Sequence, residues 1–72
     1  MIDQSAQGKN ISRLLEERGM SQAELAKLTG IDPRQINRYV KCGHLTSLLN
    51  AIRIAKVLDV TVEQLCEGVI KD

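Results

Sequence analysis

Aromatic residues are almost missing from this 72-residue chain: Tyr39 stands alone, with no Trp and no Phe. A core without rings must be built from Leu, Ile, Val and Ala, which pack helices well and rarely make a ligand-stacking site. The two cysteines, Cys42 and Cys66, form no C-x-x-C pair and are too few for a disulfide scaffold. Cys42 and His44 make only a C-x-H pair, short of the ligands a metal site needs. No metal and no cofactor is therefore expected. No apolar run approaches ~18 residues and no basic-then-apolar leader opens the chain, so neither a membrane span nor a secretion signal is expected. No nucleophile sits beside a base in a recognisable motif, and no glycine-rich phosphate loop occurs. Glu16, Glu17 and Glu24 read as surface and capping residues rather than an acid–base pair, and an enzyme is not expected.

Acid is also missing from one long stretch. Residues 34–56 carry Arg34, Arg38, Lys41, Arg53 and Lys56 and no carboxylate, whereas residues 57–72 carry only Lys71 against Asp59, Glu63, Glu67 and Asp72. The net charge of +1 hides this division. Phosphate contacts act within a Debye length of ~8–10 Å, so a nucleic-acid binder needs a local basic face more than a basic total. The plain alternative is a solvated helical face that happens to lack acids.

What is present is dense helix punctuation in residues 21–41. Ser21 with Glu24 spells a capping box, flanked by Met20 and Leu25 as a hydrophobic staple. Gly30 stands where that helix must stop, because the left-handed conformation costs glycine nothing. Asp32 as N-cap and Pro33, the only proline, at the first helical position restart a helix at once. Gln35 would complete a second box, and Ile31 with Ile36 a second staple. Two capped helices forced this close together read as a helix-turn-helix.

Helical periodicity continues on both sides. Ile11, Leu14 and Leu15 make the stripe of a first helix ended by Gly19; Leu25, Ala26 and Leu28 serve the second; Ile36, Tyr39 and Val40 serve the third. After the loop Cys42–Thr46, Ser47 caps a fourth helix whose Leu48, Leu49, Ile52, Ile54, Ala55, Val57 and Leu58 span a wide apolar arc, which predicts a buried central helix. Thr61 with Gln64, between Val60 and Leu65, begins a fifth. No segment alternates with period two. The expectation is an all-α, five-helix domain over residues 10–68, with a flexible segment 1–9 and a tail 69–72. On the third helix Arg34, Gln35, Asn37, Arg38 and Lys41 point outward, and these are groups suited to a major groove and its phosphates.

With these motifs in order, the chain resembles the Xre-like helix-turn-helix family of phage lambda repressor and Cro proteins, from about Asn10 to Cys66. The segment SQAELAKLTGI, the inward Ile36 and the run LLNAIRIAKVLDVTVEQL carry the resemblance. It implies a lambda-repressor-like DNA-binding domain that acts as a transcriptional regulator, more often a repressor. Such a protein would be cytoplasmic, of bacterial or phage origin, and a homodimer on a palindromic double-stranded DNA operator with no small-molecule ligand. Carried over by residue, Arg34, Gln35 and Arg38 would face bases. Gln22, at the start of the second helix, would clamp a phosphate, and Asn37, Lys41, Thr46 and Ser47 would meet others. Relatives often dimerise through the closing helix and tail, which here offers Leu65, Val69 and Ile70, although apolar tail residues can equally seal a core.

Three departures stand out. Pro33 replaces a base-reading glutamine that relatives often carry, Asp32 puts a carboxylate near the phosphates, and the loop Cys-Gly-His-Leu-Thr lacks the basic residues and proline usual there. These favour a second reading, a protein-interaction module such as an antitoxin or adaptor that retained the fold. The acid-free stretch opposes it.

Overall fold

Capping chemistry sets the start of the helices, and the computed structural model, which describes residues 1–70, shows it bond by bond. The chain forms α1 (Ser5–Glu17), α2 (Gln22–Thr29), α3 (Pro33–Lys41), α4 (Leu48–Leu58) and α5 (Val62–Leu65). At α2, Ser21 Oγ accepts the Glu24 N–H at 3.1 Å while Glu24 Oε1 accepts the Ser21 N–H at 3.3 Å. At α5, Thr61 and Gln64 exchange the same pair of bonds at 3.0 and 2.9 Å. Ser21→Ala is expected to cost about 1 kcal/mol, because the helix end is left without its side-chain acceptor. Urea denaturation reads this directly; an unchanged midpoint would mean that the box contributes nothing.

The expected second box does not form. Asp32 Oδ1 accepts the Arg34 N–H at 2.8 Å, and the Gln35 N–H is already taken by the Asp32 carbonyl at 2.9 Å. Asp32 is thus a cap of the Asx-turn kind, and Pro33 follows it without needing a donor. Gly30 ends α2 at φ +74°, where any side chain would be strained.

One apolar cluster holds the helices together. Ile11, Leu14 and Leu15 come from α1, Leu25 and Ala26 from α2, and Ile36 and Tyr39 from α3. Ala51, Ile54, Ala55 and Leu58 come from α4 and Leu65 from α5, with Ile31 between α2 and α3. Ala26 is buried at the α2–α3 corner, where its small side chain suits a close crossing. Leu28, Leu48 and Leu49 differ from expectation: they are 60%, 73% and 58% exposed. The apolar arc of α4 is wider than its packed face. Leu48 lies in the first turn, N-terminal to the stripe of Ala51, Ile54, Ala55 and Leu58, and Leu49 lies off it.

The chain start also differs. Helix α1 begins at Ser5, within the segment expected to be flexible. Asp3 Oδ1 accepts both the Ser5 N–H and the Ser5 hydroxyl, at 3.0 and 2.6 Å, supplying a cap from one residue further back. The Asp3 N–H donates to the Val69 carbonyl at 2.6 Å beside an isolated antiparallel bridge between Ile2 and Ile70. Val69 is buried, so the tail closes over the chain start. Lys71 and Asp72, the end of the expected tail, lie outside the described residues. Among the described residues no strand forms, and no helix is long and apolar enough to cross a membrane.

Candidate nucleic-acid interface

Helix α3 has one face in the core and one in solvent. Ile36 and Tyr39 anchor it inward, while Arg34, Asn37, Arg38 and Lys41 are exposed and Gln35 is half-buried. The Tyr39 hydroxyl accepts from Asn50 Nδ2 at 2.9 Å, which ties α3 to α4 and fixes the roll of the outward face. A fixed roll matters because guanidinium recognition of a base edge depends on direction as well as reach.

The first turn of α2 lies against α3. Asn37 Nδ2 donates to Gln22 Oε1 at 3.3 Å, joining two residues each expected at a phosphate. This bond commits the Gln22 oxygen to α3 and leaves its NH₂ group as a donor at the N-terminus of α2, where the helix dipole favours an anion. Sequence reasoning placed both residues but not their contact, which depends on the α2–α3 crossing.

At the other end of α3 the two loop residues part company. Ser47 is exposed and caps α4, its Oγ accepting the Asn50 N–H at 3.2 Å. Thr46 turns inward: its N–H donates to Gln7 Oε1 at 2.9 Å and its hydroxyl is buried without a partner. Between α3 and α4 runs a shallow groove lined by Asp32, Gln35, Ser47, Asn50 and Arg53. Arg53 belongs to the acid-free stretch, but no motif in the sequence points to it as a site residue. Its place beside Ser47 extends the cationic surface from α3 onto α4.

None of Arg34, Arg38, Lys41 and Arg53 pairs with a carboxylate among the described residues. The ion pairs are Arg13–Glu17 at 3.9 Å and Arg18–Glu17 at 3.6 Å, on and just after α1. Binding an anion therefore breaks no protein ion pair at this surface. Asp32 is the carboxylate nearest in sequence to Arg34, and part of its accepting capacity is used by the cap.

The residues expected to join two copies are split. Leu65 is fully buried and Val69 nearly so, both sealing the core, whereas Ile70 is 75% exposed. A separate apolar patch lies along Leu45, Leu48 and Leu49, after the loop.

A helix-turn-helix family model matches residues 11–65 of the chain. No curated protein matches it. Among solved structures, the restriction-modification controller protein C.AhdI from Aeromonas hydrophila superposes with a TM-score of 0.81 at 28% identity, covering 88% of this chain and 96% of that one. A chain of the SinR protein/SinI protein complex superposes with a TM-score of 0.80 at 26% identity, covering 85% of this chain and 60% of its own length.

Proposed function

From the premise that this chain belongs to the Xre-like, lambda-repressor-like helix-turn-helix family and is a DNA-binding transcriptional regulator, we propose that it is a sequence-specific repressor. In this reading it binds a palindromic operator as a homodimer in the cytoplasm and needs neither cofactor nor catalysis. The observation that carries it is the outward face of α3, where Arg34 and Arg38 stand one turn apart, exposed and unpaired. Arg34, Gln35 and Arg38 read bases, and Gln22, Asn37, Lys41 and Ser47 hold phosphates. Thr46, with its hydroxyl and N–H turned inward, supports the loop instead. Repression follows from occupancy: a dimer lying across two successive major grooves about 34 Å apart blocks the same DNA to polymerase.

In vitro selection from random duplex DNA tests this reading. A palindromic consensus is the expected result. Absence of any binding at low salt would sink it and favour the interaction-module reading, since non-specific phosphate binding is strongest there.

The dimer contact in this proposal is the patch of Leu45, Leu48 and Leu49, because Leu65 and Val69 are used inside one chain. A two-fold contact places one patch against its own copy, so a charge introduced there meets a like charge. Leu49→Asp is expected to sediment at half the wild-type mass while its circular dichroism is unchanged. Wild-type mass for that variant, with monomers from Ile70→Asp, would move the interface to the tail.

A further inference from the structure

Gln7 is the buried polar side chain among the described residues, 3% exposed and set in α1 on the far side of the core from any expected contact with DNA. Its carboxamide faces two ways. Oε1 accepts the Thr46 N–H at 2.9 Å, and Nε2 donates to Cys66 Sγ at 3.3 Å. The first bond reaches across 39 residues to the loop between α3 and α4.

That loop has little else to fix it. Its start is held by the Cys42 and His44 N–H groups on the Arg38 carbonyl, at 3.0 and 3.4 Å. Gly43 then rests over Ser5, close enough that an added Cβ would lie 3.6 Å from its Cα. At the far end Thr46 turns inward although its hydroxyl finds no partner there. The Gln7 bond, not the hydroxyl, accounts for that turn. With an apolar side chain at position 7, the Thr46 N–H would be buried and unsatisfied, and the loop would shift to reach water.

We propose that Gln7 is a positioning residue for DNA binding: by holding the Thr46 N–H it sets where Ser47 and the start of α4 stand relative to Arg34 and Arg38. It touches no DNA itself. Cys66 fixes the orientation of the carboxamide, so that the oxygen and not the NH₂ group meets Thr46. The inference rests on the DNA-binding reading, and its test separates the two.

Two measurements decide it. The first is amide hydrogen exchange in the wild-type chain without DNA, where the Thr46 N–H is expected to be protected relative to the Leu45 N–H. Equal exchange overturns the proposal whatever the variants do. The second is binding of a short random-sequence duplex over a salt series, at a temperature where circular dichroism shows each variant folded. Gln7→Met keeps length and volume but removes both polar groups. It is expected to bind roughly 5–10-fold more weakly, with a salt slope shallower by about 0.9 because one fewer phosphate is neutralised. Gln7→Glu retains an acceptor for Thr46 and is expected to recover the wild-type slope, and Cys66→Ala to bind within about 2-fold of wild type. A Gln7→Met chain with wild-type affinity overturns the proposal, and so does weaker binding with the slope unchanged, since that is the mark of a purely structural role. If the wild-type chain binds no duplex while Thr46 is protected, the DNA reading fails and takes the positioning role with it, leaving Gln7 as a loop anchor.

Discussion

Gly8→Ala is expected to melt roughly 10–20 °C below wild type, a loss of about 2–3 kcal/mol in a domain of this size. An alanine at a helical glycine would ordinarily stabilise the helix by about 1 kcal/mol, so the sign of the effect is informative. Here α1 crosses α3 so closely that an added Cβ would collide with the Tyr39 carbonyl oxygen and lie 3.2 Å from the Val40 carbonyl oxygen. Both neighbours are backbone atoms of a helix and cannot rotate aside. Helix α1 would have to move off α3, loosening a core to which the first gives Ile11, Leu14 and Leu15 and the second gives Ile36 and Tyr39. A domain this small buries only about 60% of its unfolded surface, so such a loss is a large share of its stability. Thermal melts with a matched urea series measure it. A Gly8→Ala chain melting at or above wild type would show that the α1–α3 spacing accepts a methyl group.

Gly8 also illustrates why parts of this structure were legible in the sequence and others were not. The starts of α2 and α5 were, because Ser21–Glu24 and Thr61–Gln64 exchange bonds over three residues and need nothing from the rest of the chain. The outward face of α3 was legible for a similar reason: once Ile36 and Tyr39 are placed inward, helical spacing puts Arg34, Arg38 and Lys41 outside. What depends on two distant segments meeting was not. The cap of α1 uses Asp3 but owes its position to the Val69 carbonyl. Gln7 looked like part of a polar end, and only its partners in the loop and at Cys66 make it a core residue. Leu48 and Leu49 mislead in the opposite direction, since periodicity reports which side chains are apolar and not how far the neighbouring helices extend to cover them. For the interface, residue types indicated a ligand class, while the Asn37–Gln22 bond and the inward turn of Thr46 required the packed fold.

Arg38→Ala is expected to lose about 1–3 kcal/mol at a single base position of the selected operator, roughly 5–150-fold, with little change elsewhere in the site. Arg38 lies on the solvent face of α3, so its removal leaves the fold intact within about 0.5 kcal/mol. It pairs with no carboxylate among the described residues, so the free protein holds no ion pair there that the complex must give up. A guanidinium presents two parallel donors that match the O6 and N7 acceptors of guanine, and no other base offers that pair of acceptors in the major groove. Arg38→Lys should therefore fail to restore the preference, because an ammonium keeps the charge without the planar fork. Lys41→Ala serves as the contrast: it should weaken binding to every duplex alike and reduce the salt slope by about 0.9, the mark of one phosphate contact. Anisotropy titrations against a panel of single-base operator variants distinguish the two patterns. Uniform weakening by Arg38→Ala, with a shallower salt slope, would make it a phosphate contact and leave Arg34 and Gln35 as the readers. Unchanged affinity for the operator would mean that this face of α3 does not enter the groove.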